Sequence, residues 1–248
     1  MPNLLKLLLF PLILMTAQLH AGELKGLSFV TEAYPPYNFK QGGKLQGIAV
    51  DLLVSASAQA QKPITKKDIR LMPWPRAYKI AEKGPNVVLF STTRTEQREN
   101  SFQWVGPISK TRVVLLTKKG SGVSINSEAD IKKLTIGAIL DDIGEQLVKA
   151  AGAPKSNIKH IPKAENLAKM LNGGRIQAWA YEENVARWFI KQAGFNNADF
   201  ETSYVLKESE LYYTFSKDVS KDVLETLQNG IDAVKSSGEY DKILSNYL

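Results

Sequence analysis

The run Ser91-Thr92-Thr93-Arg94-Thr95-Glu96-Gln97-Arg98 gathers hydroxyl groups and two guanidiniums into one short stretch of chain. A guanidinium presents a planar fork of N–H donors that matches two carboxylate oxygens and keeps its charge when water is excluded. Thr95 has the residue type of a helix N-cap, which would put Arg98 in the first turn, where free backbone N–H groups also favour an anion. The same residues suit a solvated helix on which Arg98 pairs with Glu96 or Glu99. By themselves they leave both readings open.

Two further groups could meet a ligand. Tyr34 and Tyr37 flank Pro35-Pro36, and Trp74 lies between Pro73 and Pro75. Flat rings offer apolar area and take a cation on their faces, although rings near strand ends are also ordinary core. Asp141-Asp142 precedes a helical pattern that begins at Ile143, so either acid could cap that helix or hold a cationic group. Glu182 and Glu183 are further acidic candidates.

Other chemistry is poorly supplied. Cysteine is absent and histidine occurs only at positions 20 and 160, which excludes disulfides, thiolate metal sites and a histidine-based metal cluster. No cofactor and no metal are expected. The net charge of +7 comes from scattered lysine pairs such as Lys66-Lys67 and Lys132-Lys133 rather than a basic stripe interleaved with aromatics. That pattern argues against a nucleic-acid partner and for a solvated surface or an anionic ligand.

The elements that must position these groups can be read from the chain. Residues 1–6 carry one lysine and residues 7–15 are an unbroken apolar run, the pattern of a secretory signal peptide. The run is too short to span a bilayer, so cleavage after Ala21 is expected to release a free protein into the periplasm, and without cysteine it is not a lipoprotein. Beyond it, apolar patterning predicts strands at 27–31, 69–72 and 87–90 around helices at 48–59 and 76–82. A second alternating series follows, with strands at 112–117, 134–138, 158–161 and 176–181. Its helices lie at 128–133, 143–151, 164–171 and 183–193. A last strand at 211–215 and two closing helices are expected to pack back on the first series. The class is α/β, in two lobes: residues 22–110 with 206–248, and residues 111–205. Ordered crossings near 108–112 and 204–207 would form a hinge.

In order along the chain, YPPYNF (34–39), GKLQGIAVDLL (43–53), MPW (72–74), STTRTEQRE (91–99) and FQWVGP (102–107) resemble the family 3 bacterial extracellular solute-binding proteins. The resemblance implies a type II periplasmic binding protein fold, with a two-segment hinge closing two lobes around a small polar carboxylate, amino-acid-like. It further implies delivery to the membrane subunits of an ABC transporter, as a monomer and without catalysis. It makes Arg98 the carboxylate clamp with Ser91 and Thr93 as helpers, and Tyr34, Tyr37 and Trp74 the aromatic walls. In the second lobe Gln177 stands where amino-acid receptors of the family carry an ammonium-binding aspartate, and Asp141-Asp142 replaces a Gly-Thr or Gly-Ser step. These departures put a standard α-amino acid in question. The alternatives are an enzyme on the same fold resembling the cyclohexadienyl dehydratases, with Glu182, Glu183 or Asp141 as general acid, or a ligand-sensing partner of a membrane receptor.

Overall fold

The computed structural model describes residues 22–247. The expected signal segment lies outside the described residues. Among those residues no helix is long and apolar enough to cross a membrane.

The first lobe runs β1 (Ser28–Thr31), a hairpin of β2 (Phe39–Gln41) and β3 (Lys44–Gln46), α1 (Ile48–Gln59), β4 (Ile69–Leu71), α2 (Trp74–Lys83), β5 (Val87–Thr93) and α3 (Glu96–Glu99). Strand β5 is buried along its whole length, as its continuous apolar run requires of a parallel strand covered on both faces. The chain then enters β6 (Gln103–Lys118), which leads into the second lobe: α4 (Glu128–Ile131), β7 (Ile136–Ala138), α5 (Ile143–Ala150), β8 (Ile158–His160), α6 (Ala164–Asn172), β9 (Ala178–Glu182) and α7 (Glu183–Gln192). Strand β10 (Phe200–Phe215) returns, and α8 (Lys221–Ser236) and α9 (Glu239–Ser245) close the chain.

All the strands except the hairpin join one mixed sheet, in the order β4-β1-β5-β10-β6-β9-β7-β8. Within each lobe the outer strands are parallel, β1 with β4 and β5, and β7 with β8 and β9. Strands β6 and β10 are antiparallel to each other and carry the sheet from one lobe to the other. Strand β5 leaves β10 at Leu211, and β9 joins β6 only at Val113. Between these points Lys110 to Arg112 faces Glu208 to Glu210 as a two-stranded ribbon.

Two strands are far longer than their patterns predict, 16 residues each for β6 and β10. The register of β10 shifts at Thr202/Tyr204, Val205/Lys207 and Leu211/Tyr213. Each shift resets which residues face inward, so simple alternation is lost.

The closing helices pack on the first lobe as expected. A Cβ at Gly230 of α8 would lie 2.1 Å from the Ala56 carbonyl oxygen of α1, so only glycine permits this helix contact. The Tyr213 hydroxyl donates to the Ala49 carbonyl at 2.7 Å, tying β10 to the same helix.

Candidate functional site

In parallel sheets of this kind, ligands meet the loops that leave the carboxyl ends of the strands. The chemistry-bearing residues sit at those ends. Glu32 and Tyr34 follow β1, Trp74 follows β4, and Arg98 follows β5; across the gap, Asp141 and Asp142 follow β7 and Glu182 ends β9.

Arg98 is the centre of the arrangement. Thr95 caps α3, its hydroxyl accepting the Arg98 N–H, and the Arg98 side chain is 1% exposed. One terminal nitrogen donates to the Thr93 carbonyl at 3.3 Å and the other to the Asp141 carbonyl of the opposite lobe at 3.1 Å. The Trp74 and Tyr78 rings take the guanidinium on their faces at 5.4 and 5.3 Å. Its Nε has no hydrogen-bond partner among the described residues. Burial pushes the Arg98 guanidinium below its ordinary range, opposed by Asp142, Tyr78 and Tyr34. Arg94, by contrast, lies outside the gap, in a two-pronged pair with Glu99 and between Trp104 and Tyr212.

The aromatic residues also span the gap. The Trp74 indole N–H donates to the Asp141 carbonyl at 2.9 Å. Tyr34 packs edge-on against Tyr181 of the second lobe at 5.6 Å, and tilted against Tyr37 at 5.8 Å. Tyr37 reaches furthest, its hydroxyl donating to the Glu182 carboxylate at 3.1 Å.

Three carboxyl groups lie at the facing strand ends, and two of them, Glu32 and Asp142, are within electrostatic reach of the guanidinium. Burial raises Glu32 well above the ordinary carboxylate range, Asp142 adds to the rise, and Arg98 opposes it. Burial likewise raises Asp142, against the pull of Arg98 and of the Gly144 and Ile143 N–H groups. Glu182 is lifted to about 7 by burial, although it accepts the Val185 N–H as the cap of α7.

A cavity of about 330 Å³ opens between the lobes. Glu32, Met72 and Trp74 line it from the first lobe, and Ile139, Tyr181 and Phe189 from the second. Sequence reasoning passed over Glu32, Tyr78 and Tyr181. The one available signal for Glu32 was an acid directly after a buried strand, two residues before Tyr34.

The remaining expectations divide. Ser91 is buried, in a left-handed backbone conformation, and its hydroxyl donates to Asn38. Asn38 in turn donates to the Glu32 carbonyl, so Ser91 supports the loop that presents Glu32. Thr93 meets Arg98 through its backbone carbonyl. Asp141 likewise enters the gap by its carbonyl, its side chain being exposed, whereas Asp142 caps α5 by accepting the Gly144 N–H at 3.1 Å. Gln177 must be corrected: it is exposed, and its amide oxygen accepts the Thr135 N–H at 2.9 Å. It borders a separate surface cavity with Lys118 and Asn172, because the position that reaches the gap is the end of β9 and not its start. Glu183 is engaged by Arg112, Arg187 and Thr202 away from the gap.

Known proteins resemble this chain in sequence and in fold. A "Probable histidine-binding protein" of Neisseria gonorrhoeae is 24% identical over 230 residues, covering 92% of this chain and 84% of that protein. The arginine-, lysine-, histidine-binding protein ArtJ from Geobacillus stearothermophilus superposes with a TM-score of 0.76 at 20% identity, covering 90% of this chain and 94% of that one. An ancestral arginine-binding protein bound to arginine gives a TM-score of 0.74 at 25% identity, covering 91% of this chain and all of its own. The model of the bacterial extracellular solute-binding proteins, family 3, matches residues 27–248. With two lobes bridged by β6 and β10 and a gap at their strand ends, the chain has the type II periplasmic binding protein fold and belongs to the family 3 bacterial extracellular solute-binding proteins.

Proposed function

We propose that this solute-binding protein captures an amino acid with a cationic side chain and delivers it to an ABC importer, as a monomeric periplasmic receptor rather than an enzyme. The lobes are residues 22–110 with 206–248 and residues 111–205, hinged at the ribbon of β6 and β10. The observation that carries the reading is the imbalance of charge around Arg98. Among the described residues its guanidinium donates to the Thr93 and Asp141 carbonyls and its Nε is unpartnered, while Glu32 and Asp142 lie within its electrostatic reach and Glu182 is buried at the neighbouring strand end. A ligand carboxylate gives the guanidinium its missing acceptor. Two cationic groups on the ligand offset the excess of acids, which a neutral amino acid does less well. The names of ArtJ and of the histidine-binding relative point to the same ligand class.

Calorimetric titration with L-arginine, L-lysine, L-histidine, L-glutamine and spermidine tests this. The cationic amino acids should bind in the micromolar range or tighter, with L-glutamine weaker. Binding of spermidine but of no amino acid would remove Arg98 from the site.

One observation favours a second reading. A buried carboxyl held near 7 at Glu182, hydrogen-bonded to the Tyr37 hydroxyl of the opposite lobe, has the properties of a general acid. Incubation with prephenate or arogenate, followed by ultraviolet absorption, separates the two: turnover establishes a dehydratase, and a thermal shift without turnover supports capture.

A further inference from the structure

We infer that Glu145 is a positioning residue for ligand capture: its carboxylate fixes the Asp141 peptide so that the Asp141 carbonyl meets Arg98 and Trp74. Glu145 is the third residue of α5, the position from which a glutamate reaches back to satisfy a free N–H before the helix. Here it reaches past the cap, and its Oε2 accepts the Asp141 N–H at 2.6 Å. Asp141 has φ +60°, a left-handed conformation in which side chains other than glycine sit at a cost unless held. That conformation aims its carbonyl across the gap, where Trp74 Nε1 donates at 2.9 Å and Arg98 at 3.1 Å.

The carboxylate is itself restrained from behind. Its side chain is 1% exposed, and Oε1 meets His160 Nε2 at 2.6 Å and the Lys149 ammonium. Burial pushes the Glu145 carboxyl upward, but Lys149, the Asp141 N–H and His160 together hold it below the ordinary range, so it remains an anionic acceptor. The base of α5 is equally fixed, since a Cβ at Gly144 would lie 2.3 Å from the Ala180 carbonyl oxygen of β9. Glu145 lines no part of the cavity, and it reaches Arg98 and Trp74 through the Asp141 peptide unit. The lone histidine of the described residues, otherwise without a role, belongs to this support.

The experiment uses Glu145→Ala and Glu145→Gln with two readouts. The chain has 4 tryptophans, so its indole N–H resonances are few enough to assign by substitution. In ligand-free Glu145→Ala the Trp74 indole signal should shift and exchange faster while those of Trp104, Trp179 and Trp188 stay in place. L-arginine should bind at least tenfold more weakly. Glu145→Gln keeps an acceptor for the Asp141 N–H and should fall between Glu145→Ala and the unaltered protein; it carries the same test if Glu145→Ala does not fold. An unmoved Trp74 signal, or a moved signal with unchanged affinity, overturns the inference. The affinity arm rests on the proposed capture of a carboxylate. Should the unaltered protein not bind L-arginine, that reading fails, and the Trp74 signal alone decides the role of Glu145.

Discussion

The Tyr37 hydroxyl of the first lobe donates to the Glu182 carboxylate of the second at 3.1 Å, so one hydrogen bond ties closure of the lobes to an acid lifted to about 7. The folded chain holds a proton there that the unfolded chain releases near the ordinary value of 4.5. A raised carboxyl destabilises the fold once the unfolded form ionises. Its contribution to stability therefore falls as pH rises from about 4.5 to about 7, by about 3 kcal/mol over that window. Glu182→Gln should flatten this slope and melt higher than the unaltered protein at pH 8, while binding L-arginine more weakly. Melting curves at pH 5 and 8 check the sign, and a steeper slope in the variant would contradict it.

Arg98→Ala should abolish binding of carboxylate ligands in calorimetry. It also removes the cation that opposes the rise of Glu32 and Asp142. Both acids should then hold their protons to higher pH, so the stability of the variant should fall more steeply between pH 5 and 8 than that of the unaltered protein.

Glu32→Gln tests the charge reading directly, since Glu32 borders the cavity from the first lobe. L-arginine affinity should fall about tenfold, as expected for loss of one partly desolvated charge pair, with L-glutamine affinity changing little. Equal losses for both ligands would assign Glu32 a purely structural part.

Gln177→Ala should leave L-arginine affinity unchanged, because its amide binds the Thr135 backbone at the far end of β9. A large loss in titration would return the residue to the site.

Gly230→Ala should destabilise the protein by about 1–3 kcal/mol through overpacking of α8 on α1, with affinity intact. The clash is with backbone, 2.1 Å from the Ala56 oxygen, and no side-chain rotation relieves it. Thermal melting and titration together check both parts.

Much of the site on the first lobe was legible because its signals are local. Thr95 as a cap, Arg98 in the turn behind it, and the Tyr34 and Trp74 loops follow from neighbouring residues, and the family resemblance then chose among their readings. The second lobe was harder. Gln177 precedes β9 and Glu182 ends it, and which of them reaches the gap depends on where β9 pairs with β6, beginning at Val113 opposite Glu182. The residue type of Asp141 suits either a helix cap or a hold on a cationic group, yet its backbone conformation turns the side chain to solvent and the carbonyl inward.

Apolar period, helix caps and residue type act over a few neighbours, so the alternating α/β class, the two-lobed division and the presence of a guanidinium in a capped turn are legible in the chain alone. Which groups share the gap is set by long-range packing. Glu32, Asp142, Glu182 and Arg98 come from separate strand ends, and burial of all four together raises the acids and leaves the guanidinium facing carbonyls. Desolvation and charge coupling are properties of that shared space, so no window of sequence contains them.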